Sequence, residues 1–360
     1  VDLIAHNHIY LNLNDPCALQ GDLSWIKPGK AFRCGLKQKD ALAAVDFAAE
    51  RGLQYVHLDA GWYGPEMSMS SDATKVAANK DIDFKAICDY AATKGIGVWV
   101  YVNQRALIQQ LDDILPLYKK WGIKGIKFGF VQVGNQFWTI WLHNAVRKCA
   151  DYGIMVDIHD EYRPTGLSRT LPHLMTQEGI AGNETMPDAR HNTTLPFTRF
   201  LAGPADYTPC YFNNRVKATH CHQLAMPVVY YSPITFLYWY DTPQLYRGEK
   251  ELDFWKHVPT TWDETYPIDG QIGEYVAIAR RSGQKWFVGV MNGMDARTLS
   301  LPTEFLQRGK KYVVTLYEDD PDLDTRTKVA TRQKTIKGGQ SLKLELQVSG
   351  GAAMEIEKAP

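Results

Sequence analysis

Between about residue 30 and residue 265, short apolar runs alternate with amphipathic segments. The clearest runs are Tyr55–Leu58, Gly97–Val102, Gly125–Phe130 and Ile154–His159. They are rich in β-branched and aromatic side chains, which suits strands covered on both faces. Between them, Lys39–Arg51, Asp83–Lys94, Leu107–Trp121 and Gln136–Tyr152 carry apolar residues at helical spacing. Each of these predicted helices stops near a glycine: Gly52, Gly95, Gly122 or Gly153. Glycine readily takes the left-handed conformation that closes a helix. Strands alternating with helices imply a parallel sheet with crossover connections. No glycine-rich phosphate loop follows any strand, which argues against a doubly wound nucleotide-binding sheet. The pattern predicts a (β/α)8 barrel over residues 26–268.

Beyond about residue 270 the period falls to two. EYVAIARR, KWFVGVMNG, RTLSLPTEF, KYVVTLYED, TKVATRQKTI, SLKLELQV and GAAMEIEK are short strands parted by Gly, Pro, Asp or Lys-rich turns. No helix is needed, and an antiparallel β-sandwich is expected over 269–360. Residues 1–25 contain one alternating stretch and a proline, and read as an edge strand or as the exit of something upstream. The first residues are Val1-Asp2-Leu3, with neither Met nor a signal peptide, so the numbering is expected to start inside a longer precursor.

Composition narrows the field. A length of 360 residues suits a barrel of about 250 plus a module of about 90. Forty basic and forty acidic residues cancel, and no basic stripe stands out, so neither nucleic acid nor an anionic membrane surface is an expected partner. No apolar run approaches the roughly 18 residues of a membrane span. The six cysteines form no CxxC pair and no zinc-type cluster, and Cys88 and Cys149 sit on apolar helical faces as buried thiols. Ten Trp and 19 Tyr supply rings that can stack on sugar faces, although most such rings belong to cores.

In a barrel, polar residues just after a strand face the active site. Four places qualify: Asp59; Asn103–Gln104–Arg105; His159–Asp160–Glu161 with Arg163; and Glu178 to Glu184, a loop containing Gly179 and Gly182. Those glycines let the chain turn tightly enough to bring both glutamates to one centre. Asp59, His159 and Arg163 are the candidates for holding substrate. Clustered carboxylates at one mouth serve either glycosidic hydrolysis or the binding of a hard cation such as Ca2+, and the sequence allows both. No paired His spacing supports zinc, and no G-x-S-x-G elbow supports a serine hydrolase.

Several longer stretches then carry a resemblance. LNLNDPCALQGDLSWIKPGK, QYVHLDAGW, VDIHDEYRPTGLSRTLPHLMTQEGIAGNE, LPFTRFLAGPADYTP and WDET…GEYVAIARR…WFVGVMNG resemble glycoside hydrolase family 97, α-glucosidases and α-galactosidases found mainly in Bacteroidota. The resemblance covers essentially the whole chain, without the large N-terminal β-domain usual in the family. It implies an α-linked glycoside or oligosaccharide as substrate and a periplasmic or extracellular address. It also implies Glu184 as general acid and Glu178 as a Ca2+ ligand beside Glu184 and Asp160. In inverting members the carboxylate after the fifth-strand His serves as base and metal ligand. Here Asp160 stands there with Glu161 beside it, and either fits the base role. Retaining members carry an Asp nucleophile at the end of the fourth strand, where this sequence has Gly129. The resemblance therefore points to the inverting branch and an α-glucosidase, with a water expected in the space beside Gly129. Two alternatives stand beside it: a retaining α-galactosidase using another carboxylate such as Asp59, and a catalytically weakened relative that only binds glycans.

Overall fold

A computed structural model describes residues 1–359. Seven strands, β1 (Gly29–Cys34), β2 (Tyr55–Leu58), β3 (Gly97–Asn103), β4 (Gly125–Gly129), β5 (Met155–Ile158), β6 (Leu174–Gln177) and β7 (Ile234–Leu237), form one parallel sheet. Their order is β6-β5-β4-β3-β2-β1-β7, a nearly closed barrel. The eighth position holds no regular strand. Residues 204–210 run there instead: the Asp206 N–H donates to the Gln177 carbonyl of β6, and the Trp239 N–H, just past β7, donates to the Pro209 carbonyl, each at 3.1 Å. Pro204 and Pro209 have no N–H to give a ladder, and Thr208 takes a left-handed φ of 59°. The anticipated eightfold closure is thus seven strands and one irregular stave.

The helices follow the predicted plan: α1 (Ile9–Asn12), α2 (Gln38–Glu50), α3 (Phe84–Thr93), α4 (Gln104–Trp121), α5 (Gln136–Asp151), α6 (Ala189–Thr194), α7 (His220–Val229) and α8 (Asp253–His257). Helix α4 starts three residues earlier than its apolar spacing suggested, because the Asn103 side chain caps it by accepting from the Arg105 N–H. The N-terminal segment is not a strand. It forms a 3-10 turn over Asp2–Ile4 and then α1, with local bonds such as Asn12 N–H to His8 O satisfying its backbone.

The two-residue period of the strands sorts the barrel. Phe32, Val56, Leu58, Val98, Val100, Ile126, Phe128, Val156 and Ile158 pack outward against the helices. The alternate residues point inward, in layers. The lower layer is apolar, with Ala31, Tyr55, Trp99, Met155, Met175 and Ile234. Above it, the inward positions become Arg33, His57, Asp59, Lys127, Asp157 and His159, so charge is concentrated at the C-terminal mouth.

The rest is a sandwich of β8 (Glu264–Gln271), β9 (Tyr275–Ser282), β10 (Lys285–Asn292), β11 (Arg297–Leu301), β12 (Lys311–Asp319), β13 (Val329–Lys337), β14 (Leu342–Leu346) and β15 (Gly351–Lys358). Six strands form one sheet in the order β13-β12-β15-β10-β9-β8, and β11 pairs with β14. Strand β8 was not anticipated. It carries Pro267 and Gly270, and it is tolerated at the sheet edge with a register shift between Pro267 and Asp269. Helix α7 lies directly on this sheet. A Cβ at Gly289 would come within 2.8 Å of the Ala225 carbonyl, and one at Gly351 within 2.7 Å of the His222 Cα.

Candidate active site

The centre of the mouth is a charge network that the motifs did not single out. Lys127, inward-facing on β4 and fully buried, donates to Asp206 at 2.7 Å and lies 3.6 Å from Asp157. Its ammonium sits 3.8 Å from the centre of the Phe236 ring and 4.2 Å from that of Trp239. Burial opposes its charge, and Asp206 and Asp157 outweigh burial to raise its pKa. Asp206, although buried, is lowered by Lys127 and His159, while burial and the neighbouring Asp206 push Asp157 well up. One legible signal was available: a lysine within the apolar run GIKFG and an aspartate within MVDI, each at an inward position of a buried strand, require partners.

His159 links this network to the glutamates. Its Nδ1 lies 3.0 Å from Glu178, and its Nε2 lies 3.5 Å from Asp206 and 4.0 Å from Glu184. Burial and Lys127 oppose protonation, but Asp206, Glu178 and Asp157 carry the imidazole up to about 9. Glu178 is raised to about 7, first by burial and then by Glu184 and Asp206. Glu184 is raised as well, chiefly by burial. The glycines between them do as expected. A Cβ at Gly179, whose φ is 51°, would fall 2.5 Å from the Tyr162 carbonyl, and one at Gly182 would strike the Tyr207 carbonyl.

Across the mouth, Asp59 receives the Arg33 Nε–H at 2.7 Å and faces His57 Nε2 at 3.2 Å. Burial would raise its pKa, yet His57 and Arg33 hold it well below the carboxylate range. Arg33 lies over Trp239 and Tyr240, at 5.2 and 5.7 Å from their ring centres. Trp239 is buried, and the partly exposed Tyr240 ring is the one available for a sugar face.

Asp160 adopts a left-handed φ of 60°. Its N–H donates to Glu178 at 2.5 Å, its carbonyl accepts from Gly179, and its carboxylate accepts from the Val131 N–H at 3.2 Å. Phe130, Met186, Thr208 and Tyr238 are also non-glycine residues with positive φ in barrel loops, so backbone strain collects around this mouth. Glu161 is exposed, and its carboxylate has no hydrogen-bond partner among the described residues. Arg163 is exposed too, and its guanidinium reaches back only to the Glu161 carbonyl at 3.3 Å. The structure thus brings together Asp59, His159, Asp160, Glu178 and Glu184, and leaves Glu161 and Arg163 on the rim. Gly129 ends β4 as expected. The space beside it is filled by protein and not left for water, since a Cβ there would fall inside the Tyr101 ring.

Ligating atoms of His159, Asp160 and Glu178 lie within 4.8 Å of one another, as do those of Asp157, His159 and Asp206. In the second group the Lys127 ammonium already stands where a cation would. Around the first, Glu178 and Glu184 are raised chiefly by burial, and the carboxylate oxygens gathered there are donors that suit a hard dication.

Comparison with known proteins follows the same division of the chain. A model described as Glycoside hydrolase 97 matches residues 19–180, and one described as Glycosyl-hydrolase 97 C-terminal, oligomerisation, matches residues 261–357. The chain belongs to glycoside hydrolase family 97. Among family 97 relatives, a retaining alpha-galactosidase of Bacteroides thetaiotaomicron is 33% identical over 392 residues, covering 99% of this chain and 58% of its own length. The chain therefore spans little more than half of that relative. A family 97 enzyme of Pseudoalteromonas sp., solved in complex with acarbose, superposes with a TM-score of 0.90 at 28% identity, over 100% of this chain and 64% of its own. A β-arabinopyranosidase shares the fold, with a TM-score of 0.83 at 22% identity over 98% of this chain and 59% of its own.

Proposed function

We propose that this chain carries the active site of a glycosidase that hydrolyses α-glycosides, with Glu184 as the general acid. The observation that carries this is a half-buried carboxyl of raised pKa, held 4.0 Å from His159 at the mouth of a barrel whose opposite wall carries Asp59, held well below the usual carboxylate range by His57 and Arg33. A general acid must still hold its proton at working pH, and burial serves that end. In this reading Asp59 and Arg33 take sugar hydroxyls, Tyr240 stacks on the ring, and Glu184 protonates the leaving oxygen. Asp160, anchored by the Val131 N–H, takes the proton of the attacking water. Exposed and unanchored, Glu161 is the weaker candidate for base. Family 97 structures in complex with acarbose and with panose support an α-linked oligosaccharide as the substrate class.

Gly129, covered by Tyr101, supports an inverting course. A glycine ends β4, so that strand offers no carboxylate to form a glycosyl-enzyme bond, and the reading is an inverting α-glucosidase. The competing reading, a retaining α-galactosidase, draws on the description of the Bacteroides relative. One experiment separates them: hydrolyse a panel of aryl α-glucosides and α-galactosides and follow the first-formed anomer by NMR. A β-anomer from an α-glucoside is expected. An α-anomer, or a covalent adduct with a 2-fluoro sugar, would establish the retaining route.

A Ca2+ ion belongs to the same reading. Asp160 and Glu178 would hold it, with Glu184 turned toward it, and it would add positive charge beside those carboxylates. Chelation is then expected to lower the melting temperature as well as the rate, because a ligand of the native state adds stability. An unchanged melting temperature in EDTA would remove the ion from the scheme.

A further inference from the structure

A second cavity, of about 710 Å³, lies along the β6–β7 seam, walled by the N-terminal segment, by β6 and by the first strands of the sandwich. Its lining is one-sided in charge. Arg280, Arg169 and His8 contribute to it, and no aspartate or glutamate does, in a chain with 40 acidic residues. Arg280, on β9, is only 6% exposed. Its Nε–H donates to the Val228 carbonyl at 2.6 Å and its Nη1 to the Thr265 hydroxyl at 2.8 Å. Nη2 has no partner, and no carboxylate pairs with the guanidinium among the described residues. The rings of Tyr231 and Trp262 flank it at 5.8 and 6.0 Å. Trp262 also leaves its buried indole N–H without an acceptor.

Burying a guanidinium away from water without a counter-charge is costly, and a helix-end carbonyl with two aromatic neighbours compensates only part of that cost. One unused donor, Arg280 Nη2, belongs to a residue lining a cavity whose walls include the apolar Ile4, Leu174 and Phe200 and the neutral polar Asn7, Thr165 and Gln177. A charged head group and an apolar wall in one cavity are complementary to an anion with an apolar body. We propose that this cavity binds a small amphiphilic carboxylate, its head on Arg280 and its hydrocarbon against Leu174 and Phe200. Arginine is suited to the head, since its planar fork matches a carboxylate. The site is separate from the catalytic mouth, and the proposal does not depend on which reaction the mouth performs. The two are joined by β6, which lines the cavity through Gln177 and continues into Glu178.

Titration calorimetry with hexanoate tests the proposal, with acetate and hexanol as probes lacking the apolar body or the charge. Hexanoate should bind saturably, one per chain, with a dissociation constant of about 1 mM or tighter, and at least tenfold more tightly than either control. Arg280→Met should abolish binding and Arg280→Lys should retain part of it. Because Arg280 also ties β9 to α7, Arg280→Met can fail to fold. Leu174→Trp, which adds bulk to the cavity wall from β6, then decides, and should abolish binding in a folded protein. Hexanoate binding no tighter than acetate overturns the proposal. So does undiminished binding in a folded Arg280→Met or Leu174→Trp variant.

Discussion

The two sides of the barrel mouth hold carboxylates of the same kind in opposite electrical states. Asp59 sits between an arginine and a histidine and is held ionised. Glu178 and Glu184 sit across from it, where one lysine and one imidazole face several carboxylates, and both are pushed toward the protonated form. Burial is common to all three. What separates them is the balance of partners: His57 and then Arg33 lower Asp59, whereas at Glu178 and Glu184 neighbouring carboxylates add to the effect of burial.

The largest effect should come from the raised glutamates. Glu184→Gln keeps the shape and removes the proton, and loss of general-acid help commonly costs about 10²–10⁴-fold. Kinetics on an unactivated disaccharide should show that loss, with far less on aryl glycosides that have excellent leaving groups. Wild-type turnover of the disaccharide by this variant would end the assignment. Next comes the network's own cation. Lys127→Met strands Asp206 and Asp157 in the interior, and breaking a buried pair costs about 3–5 kcal/mol. Chemical denaturation should register it, and Lys127→Met combined with Asp206→Asn should recover part of the loss.

The pH profile is subtler. Since Glu184 must be protonated and burial raises its carboxyl above the ordinary glutamate range, the alkaline fall of kcat/KM should lie above that range. Arg33→Met should also weaken the ionised wall and raise KM more than it lowers kcat. The smallest effect is expected at Glu161→Gln, a rim residue. A change of less than a few-fold would separate it from Asp160→Asn, which should behave like loss of the base. A hundredfold loss at Glu161 would reverse those two roles.

Much of this was legible in the chain. The β2 run YVHL was predicted with the ends it has, and the helix–glycine–strand repeat located four crossovers, because burial on both faces and glycine stops are local properties. The HDEYR and EGIAGNE loops could be placed at the mouth for the same reason. Lys127 and Asp157, charges within buried apolar runs, announce only that they need partners. Which partners they take, Asp206 included, depends on three staves meeting, and nothing near any of them in sequence names the other two. The irregular stave was equally hidden: PADYTP satisfies its backbone through neighbours on both sides, a solution available only once the barrel has closed. Strand β8 escaped because proline and glycine usually argue against a strand, and only an edge position removes that objection.

The contact between Gly129 and Tyr101 ties two positions together. The tyrosine ring occupies the volume that any side chain at position 129 would need, so the two positions are no longer free to vary one at a time. A carboxylate at the end of β4 therefore calls for two changes, a replacement at position 129 and a turning aside or truncation of the ring at position 101. The bare end of this strand is held by packing as well as by sequence.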